Sequence, residues 1–161
     1  MLIISDTSPI INLTIIGHLD LLPKLFGEII IPQMVYAEIV IDGAGEPGSD
    51  EIQNAPWIKV VKNSNRTLVE FLETDLDEGE SEAIALAIEL NADYLLIDEK
   101  LGRQMALNHN IKPLGILGVL LRAKQAKMID SVTPLMDRLR TEAVFFIYQS
   151  LYDFVKQQAG E

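Results

Sequence analysis

The chain has 161 residues, 48% of them hydrophobic, enough for one folded domain with a real core and too apolar for disorder. It has no cysteine, which excludes disulfides and thiolate metal sites. A net charge of −11, from 13 basic and 24 acidic residues, argues against a protein that lives by gripping phosphates, unless a divalent cation partly cancels the acids.

Met1 to Asp6 reads as a short buried strand that ends in a carboxylate. Thr7-Ser8-Pro9 then has the form of a helix start, a hydroxyl cap with proline at the first helical position. The helix that follows is apolar on most sides and stops at Gly17, and His18 to Leu22 adds one more turn before Pro23. Glu28 to Ile31 is a second strand, stopped by Pro32, and Met34 to Ile41 a helix with Val35, Glu38 and Ile39 close together on one side. A Gly/Pro/acidic loop from Gly43 to Asp50 leads through a helical turn at Glu51–Asn54 to a third strand, Trp57 to Val61. Leu68 to Leu72 forms a short helix ahead of the acid-rich stretch Asp77-Glu78-Gly79-Glu80-Ser81-Glu82.

That stretch opens an Ala/Ile/Leu helix, followed by the apolar strand Tyr94 to Ile97 and by Asp98 where the strand ends. Carboxylates are favoured at a helix N-terminus, where the first N–H groups are unpaired and the macrodipole is positive. The helical wheel separates them. Glu80 falls on the row of Ile84 and Ile88, the face a core would bury, whereas Glu82 lies about 200° away with Glu89 on the side expected to be exposed. Glu99 to Asn108 is the next helix, Ile111 to Leu114 a brief last strand, Leu117 to Lys127 an apolar helix with a basic tail, and Pro134 to Arg140 another. Phe145 to Gln157 carries five aromatics, expected in the core or in a subunit contact. Strands alternating with helices predict an α/β fold, a three-layer α/β/α arrangement on a parallel sheet.

In a parallel sheet the carboxyl ends of the strands lie on one edge, so Asp6 and Asp98 are expected to be neighbours there. Glu38, after the second strand, and Glu80, ahead of the strand that ends at Asp98, complete a set of four carboxylates. Without His or Cys this is a hard-oxygen donor set, suited to Mg²⁺ or Mn²⁺ rather than zinc. Such a site can hold a water nucleophile and stabilise charge at a phosphate in flight. Each acid has a simpler reading taken alone: Asp6 as a turn or cap residue, Glu38 as a half-exposed helix carboxylate, Glu80 as a macrodipole charge, Asp98 as a cap of the next helix. Asp77, Glu78 and Glu82 are expected to be solvated. His18 and His109 stand outside any ligand spacing. Lys100 and Arg103 can grip a phosphate near Asp98, or simply occupy an exposed helix face.

Ile4-Ser5-Asp6-Thr7-Ser8-Pro9-Ile10-Ile11 resembles the opening of the PIN-domain nucleases, an Asp after the first strand with a small hydroxyl residue two positions on. Pro32-Gln33-Met34-Val35-Tyr36-Ala37-Glu38 resembles that family's second acid, and Gly79 to Ala87 followed by Leu96-Ile97-Asp98 its third and fourth. Arg103 and the Gly115 to Lys124 segment resemble a prokaryotic PIN-like subgroup near the VapC-type toxins. The resemblance covers nearly the whole chain, read as one domain over 1–161 with extra C-terminal helices from about 116. It implies that Asp6, Glu38, Glu80 and Asp98 are the metal-site acids and Ser8 a supporting polar group. The implied activity is a Mg²⁺- or Mn²⁺-dependent cleavage of single-stranded RNA, with a homodimer as its assembly and a small basic antitoxin as partner.

Two other functions are weighed against this. One is a non-catalytic interaction protein that keeps the fold, favoured by the negative charge and the lack of a basic track. The other is a small-molecule phosphohydrolase with a covalent Asp, disfavoured because Ser8 stands where a second Asp is needed. No apolar run approaches the length of a membrane span and no export signal precedes the first strand, so a cytoplasmic location is expected.

Overall fold

Alternation within three short apolar strands sets the layers. In the computed structural model, which describes all 161 residues, β1 (Ile3–Ser5), β2 (Ile29–Pro32) and β4 (Tyr94–Leu96) form the centre of a five-stranded sheet. Successive side chains point to opposite faces. Ile3, Ile29, Ile31 and Leu96 enter a core of 24 residues on one face; Ile4, Ile30, Leu95 and Ile97 enter a core of 15 on the other. Both faces are covered, which is why these strands read as unbroken apolar runs. With β3 (Ile58–Val61) and β5 (Pro113–Leu114) the order is β3-β2-β1-β4-β5, every neighbouring pair parallel.

The larger core takes α1 (Thr7–Ile15), α2 (Leu21–Phe26), α3 (Gln33–Tyr36) and α4 (Ser49–Gln53). It also takes α8 (Ile116–Gln125), α9 (Thr133–Thr141) and α10 (Gln149–Gln158). The smaller core is covered by α5 (Arg66–Leu72), α6 (Glu78–Leu90) and α7 (Lys100–Asn108). The architecture is the expected three-layer α/β/α fold. The helices after 116 share the main core through Val119, Leu120, Met136, Leu139 and Val155.

Several local expectations need correction. Helix α1 starts at Thr7 with Asp6 in the N-cap position, so Pro9 sits within the first turn and the Thr7 hydroxyl is free for another partner. Pro23 lies inside α2 rather than beyond it, in the first turn, where its missing N–H is no loss. The aromatics divide: Phe145 and Tyr152 pack against the core, whereas Phe146, Tyr148 and Phe154 are largely exposed.

One acid fastens α10 to the rest. Helix α9 has no side-chain cap of its own. The Glu161 carboxylate accepts hydrogen bonds there from Val132 N (2.8 Å), Thr133 N (3.0 Å) and the Ser131 hydroxyl, and pairs with Lys124 at 2.9 Å. Desolvation opposes its charge, but these donors outweigh it and hold the Glu161 carboxyl well below the usual range. A carboxyl lowered in the folded state adds stability above its unfolded pKa, and that stability is lost as pH falls through the folded value. Glu161→Gln should therefore lower the melting temperature at pH 7 by about 2–4 °C. The difference from the parent should shrink once pH drops below about 4. A melting-temperature gap equal at both pH values would show that the clasp does not depend on charge.

Candidate metal centre

The sheet order reverses direction at β1. From β1 the chain steps outward to β2 and β3, then crosses back through α5 and α6 to β4 on the other side. The carboxyl ends of β1 and β4 flank this switch point, where open α/β sheets leave a crevice. Asp6 N donates to Leu96 O at 2.9 Å, one residue beyond the last paired position, Ser5 with Leu96. Asp6 is thus held by the sheet itself, and it is only 4% exposed.

Glu38 does not lie on a regular α-helix. Helix α3 continues directly as a π-helix over Ala37–Asp42, the wider turn that recurs at functional sites. The Thr7 hydroxyl donates to Glu38 Oε2, joining the helix after β1 to the one after β2. The Glu38 carboxylate rests on Gly79, in the first turn of α6, where an added Cβ would lie 2.5 Å from Oε1 and 2.6 Å from Oε2. Glycine is required by this close approach rather than by backbone conformation.

Asp77 caps α6, its Oδ1 accepting from Glu80 N at 2.8 Å. Glu80 Oε2 lies 3.3 Å from the position of a Cβ at Gly102 of α7. Asp98 Oδ1 accepts from Ile116 N at 2.9 Å and lies 2.8 Å from a Cβ position at Gly115. Arg103 Nη1 donates to Ile97 O at 3.0 Å beside it. Three of the four acids therefore lie against glycines of neighbouring elements.

Glu82 is corrected. It does lie across α6 from Glu80, but it is 6% exposed, because the 63–66 segment and α5 cover that face. Its Oε1 accepts from Met34 N at 3.2 Å, Arg66 approaches its Oε2 at 3.4 Å, and Asn63 Nδ2 donates to its backbone carbonyl. Glu82 thus serves the open N-terminus of α3, the helix that leads to Glu38. Glu89, on the same face, holds Ser64 and Asn65 in place of facing open water. Ser8 is exposed; the hydroxyl in the cluster is that of Thr7.

Burial raises all four acids, and neighbouring charges add to it at three of them. Burial pushes Asp6 up to about 7, with the charges of Asp77, Glu38 and Asp98 adding to it against the Thr7 backbone N–H. Burial raises Glu38 as well, against the hydrogen bond from Thr7, with Asp77 pushing the same way. Glu80 is raised by burial, then by Asp77, Asp6 and Glu99. Asp98 is pushed up by burial to about 6, although Ile116 N–H and the Arg103 charge favour its ionised form. The charges of Glu38 and Asp98 act on Asp6 and that of Asp6 on Glu80, while Asp77, although exposed, acts on Asp6, Glu38 and Glu80.

No three of these side chains close into a ready-made ligand cluster. The donor chemistry nevertheless fits a hard divalent cation: every candidate donor is a carboxylate oxygen, and Asp98 Oδ2 is buried with no hydrogen-bond partner. An orphaned carboxylate oxygen at this depth calls for a proton or a cation.

The family model described as DUF3368, a PIN domain, matches residues 2–161. The chain belongs to the PIN-domain family. PIN domains are in general nucleases, hydrolases of nucleic acid that use divalent metals. No curated protein and no solved structure matches the chain. No helix is long and apolar enough to cross a membrane.

The raised carboxyls make stability depend on pH. A carboxyl raised in the folded state binds its proton more tightly folded than unfolded, so stability falls as pH rises from the unfolded pKa through the folded one. For Asp6 that window runs from 3.8 to about 7. In EDTA, Asp6→Asn should gain melting temperature relative to the parent on going from pH 5 to pH 8. An equal offset at both pH values would mean that Asp6 ionises normally.

Proposed function

We propose that the protein is a metal-dependent endonuclease of single-stranded RNA, with Asp6, Glu38, Glu80 and Asp98 holding Mg²⁺ or Mn²⁺. The observation that carries this reading is the pair of acids Asp6 and Asp98 at the carboxyl ends of the adjacent strands β1 and β4, at the sheet's switch point, with Asp98 Oδ2 unpartnered, within a chain of PIN-domain sequence. A bound divalent ion supplies an activated water and neutralises charge developing on the phosphate. The chain's own groups set the stage. Thr7 orients Glu38 through its hydroxyl, and Ile116 N–H pins one oxygen of Asp98 while the other stays unpartnered. Arg103, tied to Ile97 O, places a positive charge beside Asp98. Hydrolysis adds water across the P–O3′ bond, leaving a 5′-phosphate and a 3′-hydroxyl.

The toxin half of a toxin–antitoxin pair is part of the same reading. A net charge of −11 favours a basic partner, one of whose arginines can enter the carboxylate pocket. So is a homodimer in the cytoplasm, in keeping with the large apolar side chains left exposed at Ile41, Phe71 and Leu101. A monomer mass by light scattering at micromolar concentration would reject the dimer.

The decisive assay compares variants on single-stranded RNA with Mg²⁺, Mn²⁺ and EDTA. Asp6→Asn, Asp98→Asn and Glu80→Gln should each abolish cleavage while the protein stays folded. Glu82→Gln should keep activity within a few-fold but melt lower, as it loses its pairing with Arg66. Millimolar Mn²⁺ should raise the parent's melting temperature and leave that of Asp6→Asn unmoved. Cleavage by every variant at the parent's rate would remove the proposed site.

The glycine contacts give an independent check. In Gly79→Ala the new methyl meets the end of the Glu38 side chain, which can swing aside. Melting should change little while cleavage falls at least tenfold. Full activity in this variant would show that Glu38 is not needed where it stands.

A further inference from the structure

A cleft of about 560 Å³ opens beside Asp98, within the size range of small-ligand sites. It is lined by Lys100, Arg103 and Leu107 of α7, by Gly115, Leu117 and Gly118 at the start of α8, and by Phe146, Tyr148 and Phe154. The aromatic wall is solvent-facing. Phe146 is 74% exposed and Tyr148 67%, and their rings meet edge to face at 4.6 Å between centroids. Apart from Asp98, the charged groups lining the cleft are both cations, in a chain whose net charge is −11. Lys100 has no carboxylate partner among the ion pairs of the structure.

We infer that this cleft is a nucleobase subsite, in which bases of single-stranded RNA stack on Phe146 and Tyr148 while Lys100 and Arg103 meet the adjoining phosphates. The inference rests on the nuclease reading above and extends it to the way the substrate is held. Three observations favour nucleic acid over other occupants. Asp98 lines the cleft, so a strand lying in it passes one of the four proposed acids. Exposed aromatic faces beside cations, of which Lys100 is unpaired, are the combination that binds single strands through bases and phosphates together. The surface is also concave. A two-fold axis through it would set hollow against hollow and leave it open to a ligand.

With a net charge of −11 on the chain, the subsite accounts for how so acidic a protein retains RNA. Stacking tolerates any base, and the cleft therefore selects unpaired strands rather than a sequence. A duplex keeps its bases stacked on one another and has none to offer.

The test measures binding in EDTA, by fluorescence anisotropy, of a labelled short single-stranded RNA and of an abasic strand with the same phosphates. Phe146→Ala and Tyr148→Ala, both surface changes whose folding is checked by melting, should each weaken RNA binding about tenfold. Binding of the abasic strand should not change. In Mg²⁺ or Mn²⁺ the same variants should raise KM for cleavage with kcat nearly unaltered. Equal loss on both strands, or a parent that does not distinguish them, would overturn the subsite. So would a parent that sediments as a dimer and a Phe146→Ala variant that sediments as a monomer with unchanged RNA binding, since a second copy would then fill the cleft. Failures of the two readings separate cleanly. Base-dependent binding without any cleavage sinks the nuclease and keeps the subsite, whereas cleavage with KM unmoved in both variants keeps the nuclease and sinks the subsite.

Discussion

Like charges gathered in a poorly solvated place are the central constraint on this molecule. Asp6, Glu38, Glu80 and Asp98 come from four separate stretches of chain, and burial raises the pKa of each. Nothing local would bring them together. The parallel sheet does so, because adjacent strands β1 and β4 end on one edge and the preceding and following helices begin there. The apolar cores on both faces of the sheet supply the stability that this unfavourable gathering draws on.

Much of the fold was legible because it depends on periodicities the sequence displays. The three strongest strands are runs of Ile, Leu and Val, and runs of that kind are buried on both faces. The Asp at the end of each of two such runs pointed to a shared edge without any contact being known. Side-chain rows on α6 placed Glu80 and Glu82 on different sides, as they are. The wheel could not say what covers each side. It treated the face away from the sheet as solvent, whereas the segment after β3 folds back over it and turns Glu82 into a buried acceptor for Met34 N–H. The same limit applies to Thr7 and Ser8. Adjacent hydroxyls differ only in direction, and direction depends on where the helix begins, which was placed late.

The glycines show a different kind of hidden information. Gly79, Gly102 and Gly115 have ordinary negative backbone angles, so no turn propensity announces them. Their role appears only once a carboxylate from another element is seen resting where a Cβ would be. Acid residues mark the candidate centre in sequence; the absence of side chains opposite them shapes it.

The π-helical stretch around Glu38 bears on how the chain tolerates insertion and deletion. Such a turn takes up one more residue than an α-turn over the same rise, in effect an insertion absorbed without a loop. Removing one residue between Ala37 and Asp42 would let the segment relax into a regular α-helix. Everything beyond the deletion would then rotate by about 100° relative to the sheet. Ile39 and Val40 now face the main core, and Glu38 faces Thr7 and Gly79. An α-helical phase cannot satisfy all three, so the chain would have to choose between an apolar contact and the carboxylate's orientation. Length in this segment is thus constrained as tightly as residue identity.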